Sequence, residues 1–289
     1  MASIYTHDRF GRQVVKIMPE ITCGLTNRIL FQFGNQGPDL FFFNLNLKVD
    51  GINPGTAIHD RPFKDYLDRN KEYVKSLGRC SDEFYYFAGT ICHFILDSYI
   101  HPAVERNVTK DYSHMDIEIE LDRYYMLEGG KNPHKFKMET IIPEPTIAPK
   151  VVHFYDSYGV KLKDVFKSIE DFKKYRKLFH TGTVAKEIFL KSVMTASGKK
   201  EFTGQLITHK VRPQSKEVNK VLVGKFDEAL ENAPRLLRNA LDYIYNDDEL
   251  DSQFLKDYMG EIKWNLRKAN EIGSCTMWVT LLISYYLRQ

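Results

Sequence analysis

At 289 residues the chain can bury a sizeable core, either as one large domain or as two small ones. Its 43% hydrophobic and 27% charged residues are those of an ordinary globular protein, and a formal net charge of +3 is too small to demand a nucleic acid or a membrane surface as an obligatory partner. The opening MASIYTHDRFGRQ has no basic segment followed by an apolar one, and Cys23, Cys80, Cys92 and Cys275 form neither a CxxC pair nor a disulfide framework. A soluble protein of a reducing cytoplasm is therefore expected.

Helical periodicity dominates the chain, and no run of turn-separated alternating strands is long enough to build a sheet. Phe10, Val14, Val15, Ile17 and Met18 predict a first helix; Leu25, Ile29, Leu30 and Phe33 predict a second that ends near Gly34. Asn35-Gln36-Gly37-Pro38 then reads as a turn, because Gly-Pro opposes helix continuation, so Asp39 lies just past it and ahead of Phe41, Phe42 and Phe43. A loop over Asp50 to Gly55 leads to His59-Asp60, and Tyr66 to Leu77 is predicted helical.

Ser81 followed by Asp82 and Glu83 is a helix start, with a hydroxyl cap and acids at the positive end of the dipole. That helix is expected to stop near His101, where Pro102 disfavours it. Another is expected from Ser113 to Leu127, although Met115, Ile117, Ile119 and Leu121 alternate as a strand would. Pro133, Pro143, Pro145 and Pro149 mark residues 129–150 as a long loop or boundary. Helical spacing returns over Leu162 to Phe179 and Val218 to Ile244, with a basic, loop-like stretch at Ala196 to Lys216 between them. Two apolar runs need testing as membrane spans: Cys275 to Leu287 is too short, and Phe84 to Val104 carries His93, Asp97, His101 and Pro102. Both are read as buried helices.

The chemistry concentrates in ICHFILDSYIHP. His93, Asp97 and His101 recur every four residues and so share one helix face, drifting by about 40° per step, opposite a stripe of Phe84, Ala88, Ile91 and Ile95. Both faces are then buried. His93 and His101 are separated by roughly 12 Å of helix rise, too far for one zinc ion to take both. No Lys or Arg occurs from Phe84 to Val104, so a buried Asp97 needs another counter-charge, and a metal cation is an economical one. His114 and Glu118 offer a second i, i+4 pair, provided that segment is a helix and not a strand.

At these motifs the chain resembles the zinc-dependent phospholipase C family, whose wider superfamily includes single-strand-specific nucleases of plants and fungi. HDRFGRQV, FGNQGPDLFFF, GTICHFILDSYIHP and HMDIEIELD occur in the expected order between Thr6 and Leu127. The resemblance implies an all-α, multi-helix bundle of that type with additional C-terminal helices: one mostly helical domain over 1–289, with a metal-binding core at 1–128 and further helices over 151–289. It implies two or three Zn2+ ions. Asp39, His59, His93 and Asp97 would surround the first, with Asp39 also a general base, and His101, His114 and Glu118 would hold the second. A third would use His7 and share Asp97. Secreted members complete that third site with a processed amino-terminal tryptophan; the only tryptophans here are Trp264 and Trp278, so another residue or water would complete it.

The expected function is zinc-dependent hydrolysis of a small phosphoester or a phospholipid, with no obligatory nucleic acid and no transmembrane segment. Two alternatives are a phosphohydrolase built on the His59-Asp60 pair and a noncatalytic, metal-stabilised interaction protein. Phe41, Phe42, Phe43, Tyr85 and Tyr86 read first as core and second as a substrate pocket. Lys199, Lys200, Lys210 and Arg212 read first as a solvated loop and second as a phosphate attractor.

Overall fold

The computed structural model describes residues 3–22 and 28–262. The expected apolar helix at Cys275 to Leu287, both tryptophans, Cys23 and Leu25 lie outside the described residues. The chain is all-α. In chain order its helices are α1 (Ile4–Ile17), α2 (Ile29–Gly34), α3 (Pro54–His59), α4 (Phe63–Ser76), α5 (Asp82–Asn107), α6 (His114–Glu128), α7 (Ala148–Val151), α8 (Leu162–Phe179), α9 (Val184–Ala196) and α10 (Ser215–Asn246), with short 3-10 turns between them. Among the described residues, extended pairing is limited to isolated bridges at Val49–Ile52 and Thr109–Tyr112.

Helix α5 is the axis of the bundle. Ser81 caps it by accepting from the Phe84 amide, and Asp82 and Glu83 occupy its first turn. It is buried around its circumference from Phe84 to Ser98, with α2, α10, α1 and α6 packed against it. Phe87, Ile91, Phe94 and Ile95 are fully buried; each contributes roughly 1.5–3 kcal/mol relative to exposure. Nevertheless, no helix among the described residues is long and apolar enough to cross a membrane.

Two expectations about local structure change, and the helix expected from Ser113 holds against its strand alternative. Helix α5 does not stop at His101 but runs through Pro102 to Asn107. Ile100, Ala103 and Val104 are buried on either side of the proline, His101 is tied to the Tyr258 carbonyl, and Ser98 accepts from the Gln253 side chain, so tertiary contacts outweigh the local cost. The alternation at Met115 to Leu121 is not a strand: Ser113 and Asp116 form a reciprocal capping box that starts α6. His59 closes a short helix and does not sit on a loop; Asn53 caps that helix by accepting from Gly55. Asp39 belongs to a 3-10 turn spanning Gly37–Phe43.

In the second half, α8 and α10 match the expected periodic segments, but Phe166 and Val221 point to solvent. The Ala196–Lys216 stretch contains a 3-10 turn over Lys200–Gln205, and α9 before it has no counterpart in the periodicity reading. One hydrophobic core extends from Ile4 to Tyr258, and a smaller one of Phe179, Leu190, Met194 and Leu206 lies under α9.

Candidate metal centre

All eight side chains singled out in the sequence converge beside α5. His93, Asp97 and His101 line its inner face, and Asp97 sits in the middle. Its Oδ1 is 3.1 Å from His7 Nε2 and 3.5 Å from His101 Nε2; its Oδ2 is 3.1 Å from His93 Nε2 and 3.8 Å from His59 Nε2. His59 Nε2 is also 3.1 Å from Asp39 Oδ1. Further along, Glu118 Oε1 lies 3.4 Å from His101 Nε2 and 3.3 Å from His114 Nε2. The ligand atoms fall into three compact groups: His7, His93 and Asp97; Asp39, His59 and His93; and His101, His114 and Glu118.

Local sequence explains how each ring is aimed. Gly37 has φ of +50°, and a Cβ there would lie 2.3 Å from His93 Cδ2, so only glycine lets the Asn35–Asp39 backbone close over that imidazole. His93 Nδ1 bonds to the Asn35 carbonyl at 3.1 Å, His59 Nδ1 to the Gly55 carbonyl at 2.7 Å, and His101 Nδ1 to the Tyr258 carbonyl at 2.9 Å. His114 Nδ1 meets Glu105 Oε1 at 2.6 Å. A carbonyl only accepts, so Nδ1 carries the proton in the first three and the Nε2 lone pair faces the centre. Outward N–H donation of this kind is the usual support of a metal-bound imidazole.

The donor set fits zinc. Two ligands at about 2.05 Å on a tetrahedral ion lie about 3.3 Å apart, and the facing nitrogen–oxygen separations of 3.1–3.5 Å match. Yet His93 Nε2, Asp97 Oδ2 and His114 Nε2 are buried without a hydrogen-bond partner, the first two within the groups around His93 and the third within the His101–Glu118 group. Nitrogen and carboxylate oxygen are the ligands zinc takes in sites of this kind.

The electrostatics favour cations within these groups. Burial raises the Asp97 carboxyl, but His101, His93 and His7 outweigh it and hold it well below the usual carboxylate range. Asp39 is likewise raised by burial and brought down below its ordinary value by His59 and His93. Burial raises Glu118, but neighbouring positive charge, with that of the amino terminus first and then His114 and His101, holds it well below its ordinary value. The reciprocal effect appears at His101: burial lowers it, and Asp97 and Glu118 raise it above an ordinary histidine. Among the described residues no Lys or Arg forms an ion pair with Asp97; its neighbours are imidazoles.

Two positioning residues escaped the sequence reading. Asp122 accepts from Thr6 N at 2.8 Å, Thr6 Oγ1 at 2.7 Å and Tyr5 N at 3.2 Å, satisfying the first-turn amides of α1 next to His7. Burial pushes its carboxyl up to about 6. Tyr258 supplies the carbonyl for His101 and packs its ring 4.3 Å from that of His59. Of the aromatics, Phe41, Phe43, Tyr85 and Tyr86 are core, while Phe42 is partly exposed with its ring 5.2 Å from His59. Asp60 is exposed and belongs to none of the three groups, against the His59-Asp60 reading. Arg212 is committed to Glu120 and Asp116.

A buried helical centre with three histidine–carboxylate groups has the donor set of a metal-binding protein. The model of the family described as zinc dependent phospholipase C matches residues 6–164, and the chain belongs to that family. That stretch contains all eight centre residues but not Tyr258. No curated protein and no solved structure matches the chain.

Proposed function

We propose that the chain is a zinc-dependent phosphoester hydrolase that uses water as nucleophile, with Asp39 as general base. His7, Asp39, His59, His93, Asp97, His101, His114 and Glu118 would hold the ions, Asp97 serving more than one. Bound zinc supplies Lewis acidity toward phosphoryl oxygens and eases the deprotonation of water. The observation that carries the reading is the central position of Asp97, a buried carboxylate facing four imidazoles and, among the described residues, no Lys or Arg in an ion pair with it.

Within this reading the protein orients and moves protons. His59 Nε2 faces Asp39 Oδ1 at 3.1 Å, which leaves Oδ2 as the atom that accepts the proton of the attacking water. Asp39 is available for this at neutral pH because His59 and His93 keep it ionised. The hydrogen bonds from His59 and His93 to the Gly55 and Asn35 carbonyls keep both rings from turning during turnover. A phospholipid or a smaller phosphoester suits the family's description and this donor set.

The test is a panel of phosphomonoester, phosphodiester and phospholipid substrates assayed with wild type and Asp39→Asn, each with its zinc content measured. General-base catalysis accounts for about 10²–10⁴-fold in rate, so Asp39→Asn should lose that much turnover while keeping most of its zinc. Wild-type turnover by Asp39→Asn removes the base assignment. Stoichiometric zinc with no hydrolysis anywhere on the panel would favour a noncatalytic, metal-stabilised interaction protein.

A further inference from the structure

Helix α9 lies outside the stretch matched by the family and turns apolar side chains to water. Its buried side carries Leu190 and Met194; the opposite half exposes Val184 by 52%, Ile188 by 59%, Phe189 by 64% and Val193 by 48%. Single exposed apolar residues are ordinary, but four on one short helix form a patch. The patch continues into a cavity of about 150 Å³ lined by Leu45, Leu178, Val193, Lys199 and Phe42. Phe42 connects this cavity to the metal centre, since its ring lies against His59.

The surrounding charge is one-sided. Between Phe172 and Gln205 the chain carries Lys173, Lys174, Lys177, Lys186, Lys191, Lys199 and Lys200, besides the buried Arg176, against two acids, Glu187 and the exposed Glu201. Glu187 is buried and held by Lys191 and His209, so it does not offset the surface charge. Lys174, Lys177, Lys199 and Lys200 are exposed and form no ion pair with an acid among the described residues. An apolar helix face rimmed by lysines is the pattern of an element that lies in the interfacial plane of an anionic bilayer. A second copy is disfavoured, because it would bring the same lysines against each other.

We infer that α9, with the Leu45–Leu178 rim of the adjoining cavity, is a docking face for an anionic lipid surface. Val184, Ile188, Phe189 and Val193 enter the acyl boundary while the lysines meet lipid phosphates. The docking is a property of this face and does not depend on hydrolysis.

The test is co-sedimentation of the full chain with vesicles of phosphatidylcholine, alone or mixed with phosphatidylserine. Wild type should partition onto the mixed vesicles, release with added salt, and bind pure phosphatidylcholine far more weakly. A lysine close to an anionic membrane contributes about fivefold, so Lys199→Glu with Lys200→Glu should cost more than tenfold on mixed vesicles. Ile188→Ser with Phe189→Ser should reduce binding by at least a similar factor; both positions are exposed, and unchanged zinc content and circular dichroism will show that the fold persists. No partition of wild type onto anionic vesicles overturns the inference, as does undiminished binding by Ile188→Ser with Phe189→Ser. A wild-type dimer that this pair dissolves, or a saturating acidic protein that binds the face while vesicles do not, also overturns it.

Discussion

Replacing Gly37 with alanine isolates the grip on His93. Two costs act at this position. The left-handed φ of +50° disfavours a side chain, by about 1–2 kcal/mol. The new methyl would also stand 2.3 Å from His93 Cδ2, 2.6 Å from Cγ and 2.7 Å from Nε2, an overpacking that costs about 1–3 kcal/mol. Gly51 is the matched control, because its φ of +85° carries the backbone cost with nothing within 4 Å of an added Cβ. Gly51→Ala should therefore lose about 1–2 kcal/mol by the backbone effect alone, with zinc affinity unchanged. Gly37→Ala should lose about 2–5 kcal/mol by both effects. It should also weaken zinc about 10–100-fold, the usual effect of disturbing what supports a ligand. Urea unfolding with and without a chelator reads the first quantity, and competition with a chromophoric zinc chelator reads the second. Equal destabilisation of the two variants, with full zinc affinity in Gly37→Ala, would refute the claim that this glycine seats a ligand.

Asp122 gives a pH prediction. Its carboxyl is raised to about 6 in the folded chain from an ordinary value of 3.8, chiefly by burial. Between those values the folded state holds a proton that the unfolded chain has released, so this group stabilises the fold as pH falls, by about 1.4 kcal/mol per pH unit in that window. Wild type should gain about 2–3 kcal/mol of stability relative to Asp122→Asn between pH 6 and 4 in urea unfolding, and a parallel pair of profiles would contradict the assignment. His114→Ala should remove the zinc held by the His101–Glu118 group while leaving the Asp39–His59–His93 group loaded, so metal analysis should show partial and not complete loss. Complete loss would mean that the groups do not load separately. Removing the Tyr258 ring by Tyr258→Leu should lower turnover through His59, whose ring it packs against at 4.3 Å, with zinc content little changed.

The centre was legible in the sequence because α5 concentrates its evidence locally. Three potential ligands at fourfold spacing in a segment without Lys or Arg imply a shared face, and a buried Asp97 implies a counter-charge; neither inference needs tertiary information. Ser113 and Asp116 mark the start of α6 equally locally. What was not legible acts over distance: Asp122 reaches Thr6 across 116 positions and Tyr258 reaches His101 across 157. Pro102 misled because the local rule against proline is correct and was outweighed by the turn at Tyr258. Helix α9 was missed for another reason. Its apolar residues face outward as well as inward, so no single buried stripe appears in its sequence.

The most direct test of the central claim is metal analysis of the chain purified without added metal, wild type beside Asp97→Ala. A centre organised around Asp97 predicts more than one equivalent of zinc in wild type and a loss exceeding one equivalent in the variant, since the carboxylate faces both the His7–His93 pair and His101. Wild type without zinc, or Asp97→Ala with an undiminished zinc content, would contradict it.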